Sequence, residues 1–157
     1  MRIQQHEFNQ EPEEYVSFPI TAIHENESDK LQIYLRFNIR QLSENEWWAD
    51  VIYVYIPPNV DIPSYVQEHK NEWISEAQYE DESTKVRQKR DQLLNESDKY
   101  MLLDRFDFGS ATTFLGFIGK LREALSGNYA KYRKALRDIP QQEGFPFNVV
   151  WPEKPNE

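Results

Sequence analysis

Residues 31–40 alternate without a slip. Leu31, Ile33, Leu35, Phe37 and Ile39 fall on one side, and Gln32, Tyr34, Arg36, Asn38 and Arg40 on the other. Successive side chains of a strand point to opposite faces, so this run predicts a strand with one dry and one wet face. After the short link Gln41–Glu46 comes Trp47–Ile56, which is apolar on both faces apart from Asp50. That composition predicts a central strand covered on both sides. So short a link leaves no room for a crossover, and the pair must form an antiparallel hairpin.

The preceding chain is weaker in signal. Residues 1–14 are polar and acidic and read as a frayed terminus or an arm. Tyr15–Ile23 has strand composition, but Pro19 cannot donate to a ladder and predicts an edge position. His24–Lys30 reads as a polar turn.

After Pro57-Pro58-Asn59 the period changes from two to that of a helix. Asp61 or Ile62 is the expected cap, with Pro63 in the first turn, where its missing N–H costs nothing. Tyr65, Val66, Trp73, Ile74 and Ala77 give this helix a core face. Asp81-Glu82-Ser83-Thr84 is expected to break it, and a second helix follows over Lys85–Glu96. Ser97–Phe108 reads as an irregular connection. Ser110 is the expected cap of a third helix, in which Phe114, Phe117, Ile118, Leu121 and Leu125 share one side. That side is expected to be core. Gly116 and Gly119 would admit the close approach of another backbone, and Ser126-Gly127-Asn128 stops the helix.

The fold class expected is therefore α+β. A small N-terminal antiparallel sheet packs with a C-terminal helical region and ends in an extended C-terminal arm. The expected division is residues 1–60 as the β region and 61–157 as the helical region with its arm.

Composition narrows the function. The chain has no cysteine, which removes thiolate metal sites, disulfides and a cysteine nucleophile. No apolar run approaches the roughly 18–20 residues of a membrane span, and the N-terminus has no signal-peptide core. The formal net charge is −9. Residues 1–82 carry 5 Lys and Arg against 17 Asp and Glu, and residues 83–157 carry 13 against 10. An acidic half repels nucleic acid and anionic membrane, and the other half is too weakly basic for a phosphate footprint. Neither is expected as a partner.

The C-terminal stretch carries the most specific pattern. Tyr129, Tyr132, Leu136 and Ile139 share one helical face, with Arg133 and Arg137 in the C-terminal half, where positive charge suits the dipole. Pro140 ends the helix, and Gly144 allows a turn. Phe145, Phe147, Val149 and Trp151 then alternate with Pro146, Asn148, Val150 and Pro152. On one side of an extended chain, four such side chains must find a groove. Their own chain is the expected dock, with a second copy (a homo-oligomer) or a client as the alternatives.

Tyr132-Arg133, Ala135 to Pro140, Gly144-Phe145-Pro146, Val149 and Trp151-Pro152 resemble the signature of the phage tail assembly chaperone family. The resemblance extends upstream to Arg90 to Leu94, Ser97-Asp98 and Asp104, over roughly residues 87–155. The family usually has Trp after Ser-Asp, where Lys99 and Tyr100 follow here. It usually has Trp three residues before Tyr-Arg, where Tyr129 stands. The resemblance implies a non-catalytic protein of the bacterial host cytoplasm. It implies a partner too: an aggregation-prone tail component, tape measure or tail fibre, held until it is incorporated. A structural component of the tail tip or fibre base is the second reading.

The residues expected to meet a partner are Tyr132, Arg133, Arg137, Phe145, Pro146, Trp151 and Pro152, with Glu68, Glu72 and Glu76. The three glutamates recur with Glu80 at every fourth position of the first helix. They read as a solvated face or as a dock for a basic helix. No enzyme constellation is present: G-x-S-x-G, P-loop and dinucleotide fingerprints are missing. His69 with Glu72 and Glu76 lacks the His-Glu-x-x-His spacing. No cofactor or metal is expected. Calorimetric titration with zinc should show no stoichiometric site; one that appears and is lost in His69→Ala would overturn this reading.

Overall fold

The computed structural model describes residues 2–19, 31–101 and 113–156. The chain divides into two compact units, Met1–Asp81 and Glu82–Glu157.

In the first unit, β1 (Gln4–Phe8), β2 (Tyr15–Pro19), β3 (Leu31–Ser43) and β4 (Glu46–Ile56) form one sheet in the order β1-β4-β3-β2. All neighbours are antiparallel. The hairpin is as expected, with Leu35 opposite Ile52 and Ile33 opposite Val54. β4 is central, and β2 is the edge strand that Pro19 requires. Asn38 sits at φ 51° beside an irregularity between Phe37 and Arg40. Asn tolerates this left-handed conformation, and its amide donates to Asp50 Oδ2 at 2.8 Å.

The reading of residues 1–14 as a frayed terminus is corrected: residues 4–8 are a strand on the outer edge of β4. Its composition is polar, and polar cross-strand partners on β4 help to hold it. Gln5 donates to Asp50 Oδ1 at 3.2 Å, and the Tyr53 hydroxyl donates to Gln4 Oε1 at 3.2 Å.

One sheet face is the core. Ile33, Leu35, Ile52, Val54 and Ile56 pack with Val66 and Ala77 of α1 (Ile62–Asp98). The other face is only partly covered: Val51 is buried, Tyr34 and Tyr53 meet edge to face at 4.6 Å, and Tyr55 is 58% exposed. The expected cover on both sides of β4 is thus complete on one side alone.

Asp61 caps α1, its Oδ2 accepting from the Ser64 N–H at 3.2 Å. The Ser64 side chain first, and then its backbone N–H, hold the Asp61 carboxyl below its usual range. α1 is one helix of 37 residues, which corrects the expected break at residues 81–84. Polar residues alone disfavour a helix by only tenths of a kcal/mol, and no Gly or Pro lies between Ser64 and Asp98. Ser83 is buried, and Arg87 reaches its hydroxyl at 3.4 Å.

α2 (Phe114–Ser126) is capped by Thr113, whose side chain accepts from Gly116 N–H at 3.1 Å. The expected cap, Ser110, lies outside the described residues. The expected core face is corrected too. Phe114 and Leu115 are 77% and 80% exposed, and Phe117 and Ile118 are each 43% exposed. A Cβ at Gly119 would meet no atom within 4 Å, so no described backbone approaches it. α3 (Asn128–Asp138) and a 3-10 turn (Ile139–Gln141) lead into the C-terminal segment.

Ile52 is fully buried in the sheet core. Ile52→Ala should lower the unfolding free energy by about 2–5 kcal/mol, read by urea denaturation; a cost below about 1 kcal/mol would contradict this packing.

Candidate functional site

The C-terminal unit is organised where α3 meets the end of α1. Ser97 and Asp98 occupy the last turn of α1. Arg133 of α3 brings a charged donor to that turn. Its Nη1 donates to Leu94 O at 2.7 Å and to Ser97 Oγ at 2.6 Å, and pairs with Asp98 Oδ1 at 2.6 Å. The Ser97 hydroxyl itself donates to Leu94 O at 2.7 Å. A guanidinium at a helix C-terminus satisfies carbonyls and opposes the negative end of the dipole together. The Arg133 side chain is 13% exposed and that of Asp98 60%, so the guanidinium is shielded while its carboxylate partner faces water.

Tyr132, Leu136 and Ile139 point the other way and form a core with Val86 of α1, flanked by Leu93, Leu94 and Tyr129. Burial, then the Glu96 carboxylate and Tyr129, push the Tyr132 phenol above its ordinary pKa. It is neutral in the folded chain through the physiological range. The sign is that of a raised pKa: this contribution is complete below the unfolded tyrosine value and fades as pH rises past it.

The arm docks on this core. Phe145, Val149 and Trp151 pack against it, and Pro146 is fully buried. The segment is not extended from its start, which corrects the simple alternation. Turns over Gln142–Asn148 bring Phe145 N–H to Gln142 O at 3.0 Å and Asn148 N–H to Gly144 O at 2.6 Å. Phe147 is therefore 60% exposed, on the opposite side from Phe145. The Phe145–Pro146 peptide is cis. Gly144 is needed for space, since a Cβ there would run into the Asn148 carbonyl oxygen. From Val149 on, alternation holds, with Val150 76% exposed between its packed neighbours.

Side chains fix this course. Gln142 treats Val150 as a strand partner, accepting from its N–H and donating to its carbonyl, both at 2.8 Å. The Tyr129 hydroxyl donates to Pro155 O at 3.1 Å. Lys89 Nζ lies 4.3 Å over the Trp151 ring, and the Arg87 guanidinium 5.6 Å over that of Phe145.

The expected partner-binding residues thus separate into groups. Tyr132, Arg133 and Pro146 are spent on the unit's interior, and Phe145 and Trp151 are half-buried on its core. Arg137 is exposed, and Pro152 is partly buried. Glu68, Glu72 and Glu76 belong to the other unit and are exposed. His69 is not on a solvated face with them. It is half-buried between Tyr65 and Trp73, with ring centroids at 4.1 and 5.6 Å, and its Nδ1 lies 2.9 Å from Tyr65 O. Among the described residues no three His, Asp or Glu side chains cluster as metal ligands would.

Arg133→Ala should cost about 2–3 kcal/mol in urea denaturation, because the Leu94 carbonyl and the Ser97 hydroxyl lose a charged donor in a shielded place and Asp98 loses its ion-pair partner. Arg133→Lys should recover only part, since a point charge cannot fork as a guanidinium does. Equal stability of all three proteins would refute the capping role.

The family model described as phage tail assembly chaperone protein matches residues 83–156. No curated protein and no solved structure matches the chain. The match falls within the C-terminal unit and spans Ser97-Asp98, Arg133 and the docked arm. Tyr129, which stands where the family usually has Trp, stacks on Tyr100 at 4.1 Å with planes 13° apart. Residues 83–156 carry the signature of the phage tail assembly chaperone family, as the resemblance implies.

Proposed function

We propose that this chain is a non-catalytic assembly chaperone of a phage or prophage tail. In this reading it binds a tape-measure or tail-fibre protein in the host cytoplasm and keeps it from aggregating until assembly. The family match carries the reading. The exposed Phe114 and Leu115 of α2 support it, because large apolar side chains at the surface fit a client with apolar helices of its own. No described helix is long and apolar enough to cross a membrane.

Co-expression tests it. The tape-measure or tail-fibre protein should move from the pellet to the soluble fraction when this chain is present and co-purify with it. Purified virions should lack the chain. Stoichiometric presence in virions with no effect on client solubility would overturn the reading in favour of a structural tail component.

A further inference from the structure

α1 and α3 turn apolar side chains into a core, and α2 leaves much of its own apolar surface in water. Phe114 and Leu115 are the two most exposed large apolar side chains among the described residues. Phe114, Phe117, Ile118 and Leu121 fall at i, i+3, i+4 and i+7, so they form one stripe along the helix. At 13 residues α2 is about 20 Å long.

Charge frames this stripe. At about 100° per residue, Lys120 falls beside Phe117 on one edge, and Arg122 falls between Ile118 and Leu115 on the other. Both cations are exposed, and among the described residues neither pairs with a carboxylate. Position 123, the one acidic position of α2, falls on the opposite side of the helix from Phe114. The surface offered is therefore apolar along its middle and positive along both edges.

That pattern discriminates among covers. A second copy would lay one α2 on another, with positive edges against positive edges. One face of so short a helix also falls short of the roughly 800 Å² per partner of a stable interface. An anionic membrane would have to attract a chain of net charge −9 through two cations.

We propose that α2 docks an amphipathic helix of a partner protein, one whose apolar stripe is flanked by acidic residues. Apolar side chains of the partner at i, i+3, i+4 and i+7 lie along the α2 stripe, and carboxylates at its edges meet Lys120 and Arg122. The contact is small, which suits a partner that is held and then released. That the partner is the escorted tail protein rests on the chaperone reading above; the helix chemistry does not.

The probe is a synthetic helical peptide with a Leu stripe flanked by Glu, beside a counterpart with Lys for Glu, each titrated into the full chain. The acidic peptide should bind, more weakly as salt is raised, and the basic one should not. K120E/R122E should lose about tenfold in affinity, since two ion pairs become two repulsions. F114S/L115S, changed at exposed sites, should lose as much without lowering the melting temperature. Equal binding of both peptides, or full binding by either variant, would overturn the site. So would a dimer of the free chain that F114S/L115S disperses, which makes a second copy the cover. Sedimentation with phosphatidylserine vesicles, lost in F114S/L115S, would overturn it in favour of a membrane. If K120E/R122E does not fold, F114S/L115S and the peptide pair still decide the matter.

Co-expression separates the two claims. Tail protein kept soluble equally by wild type and F114S/L115S refutes α2 as the client contact and leaves the chaperone reading standing. Peptide binding that depends on α2, without any effect on the tail protein, supports the docking site and refutes that reading.

Discussion

Arg133 of α3 reaches the last turn of α1, 39 residues away in sequence at Leu94. A mostly shielded guanidinium is costly to hold unless its donors are used. The end of α1 supplies the acceptors. The bond to Leu94 O, the bond to Ser97 Oγ and the pair with Asp98 fix the height and rotation of α3 on α1. With that orientation set, Tyr132, Leu136 and Ile139 face Val86, and the core of the C-terminal unit follows. The arm then has a surface to lie on.

This order of dependence explains what the family signature encodes. Ser97, Asp98, Arg133, Leu136, Ile139, Gly144, Pro146 and Trp151 make the cap, the core, the turn and the dock. They hold a shape together. The side chains left at the surface of the same unit are different ones, among them Phe114, Leu115, Phe147 and Val150. The interior keeps the surface residues where they are. The Tyr100–Tyr129 stack belongs to this frame as a flat aromatic contact.

The first unit rests on other physics. Its sheet and the start of α1 bury a continuous aliphatic layer, and no charged residue takes part in it. The described acidic residues of this unit sit outside that layer, and Glu68, Glu72 and Glu76 are exposed where water screens them. Edge strand β2 is joined to its surroundings by polar contacts as well. Glu13 and Glu14, just before it, accept from the Arg36 side chain and backbone at 3.0 and 2.7 Å, and Lys70 pairs with Glu14.

The sequence alone determined whatever depends on neighbours in the chain. The period of two over Leu31–Ile56, the link between its halves, the cap at Asp61 and the stop at Pro140 all act within a few residues, and all appear in the fold. Polar β1 was illegible because β4, more than 40 residues away, supplies its reason to be a strand. The continuity of α1 through Asp81–Thr84 was hidden because weak local preferences yielded to Ser83 buried in packing. Burial on α2 could not be read either, since a period shows which side chains share a face and not whether anything covers it. The partner of Arg133 and the inward turn of Phe145 with Phe147 left outside were likewise decided only by tertiary structure. Each joins residues far apart in sequence, and no local rule specifies which distant donor meets which acceptor.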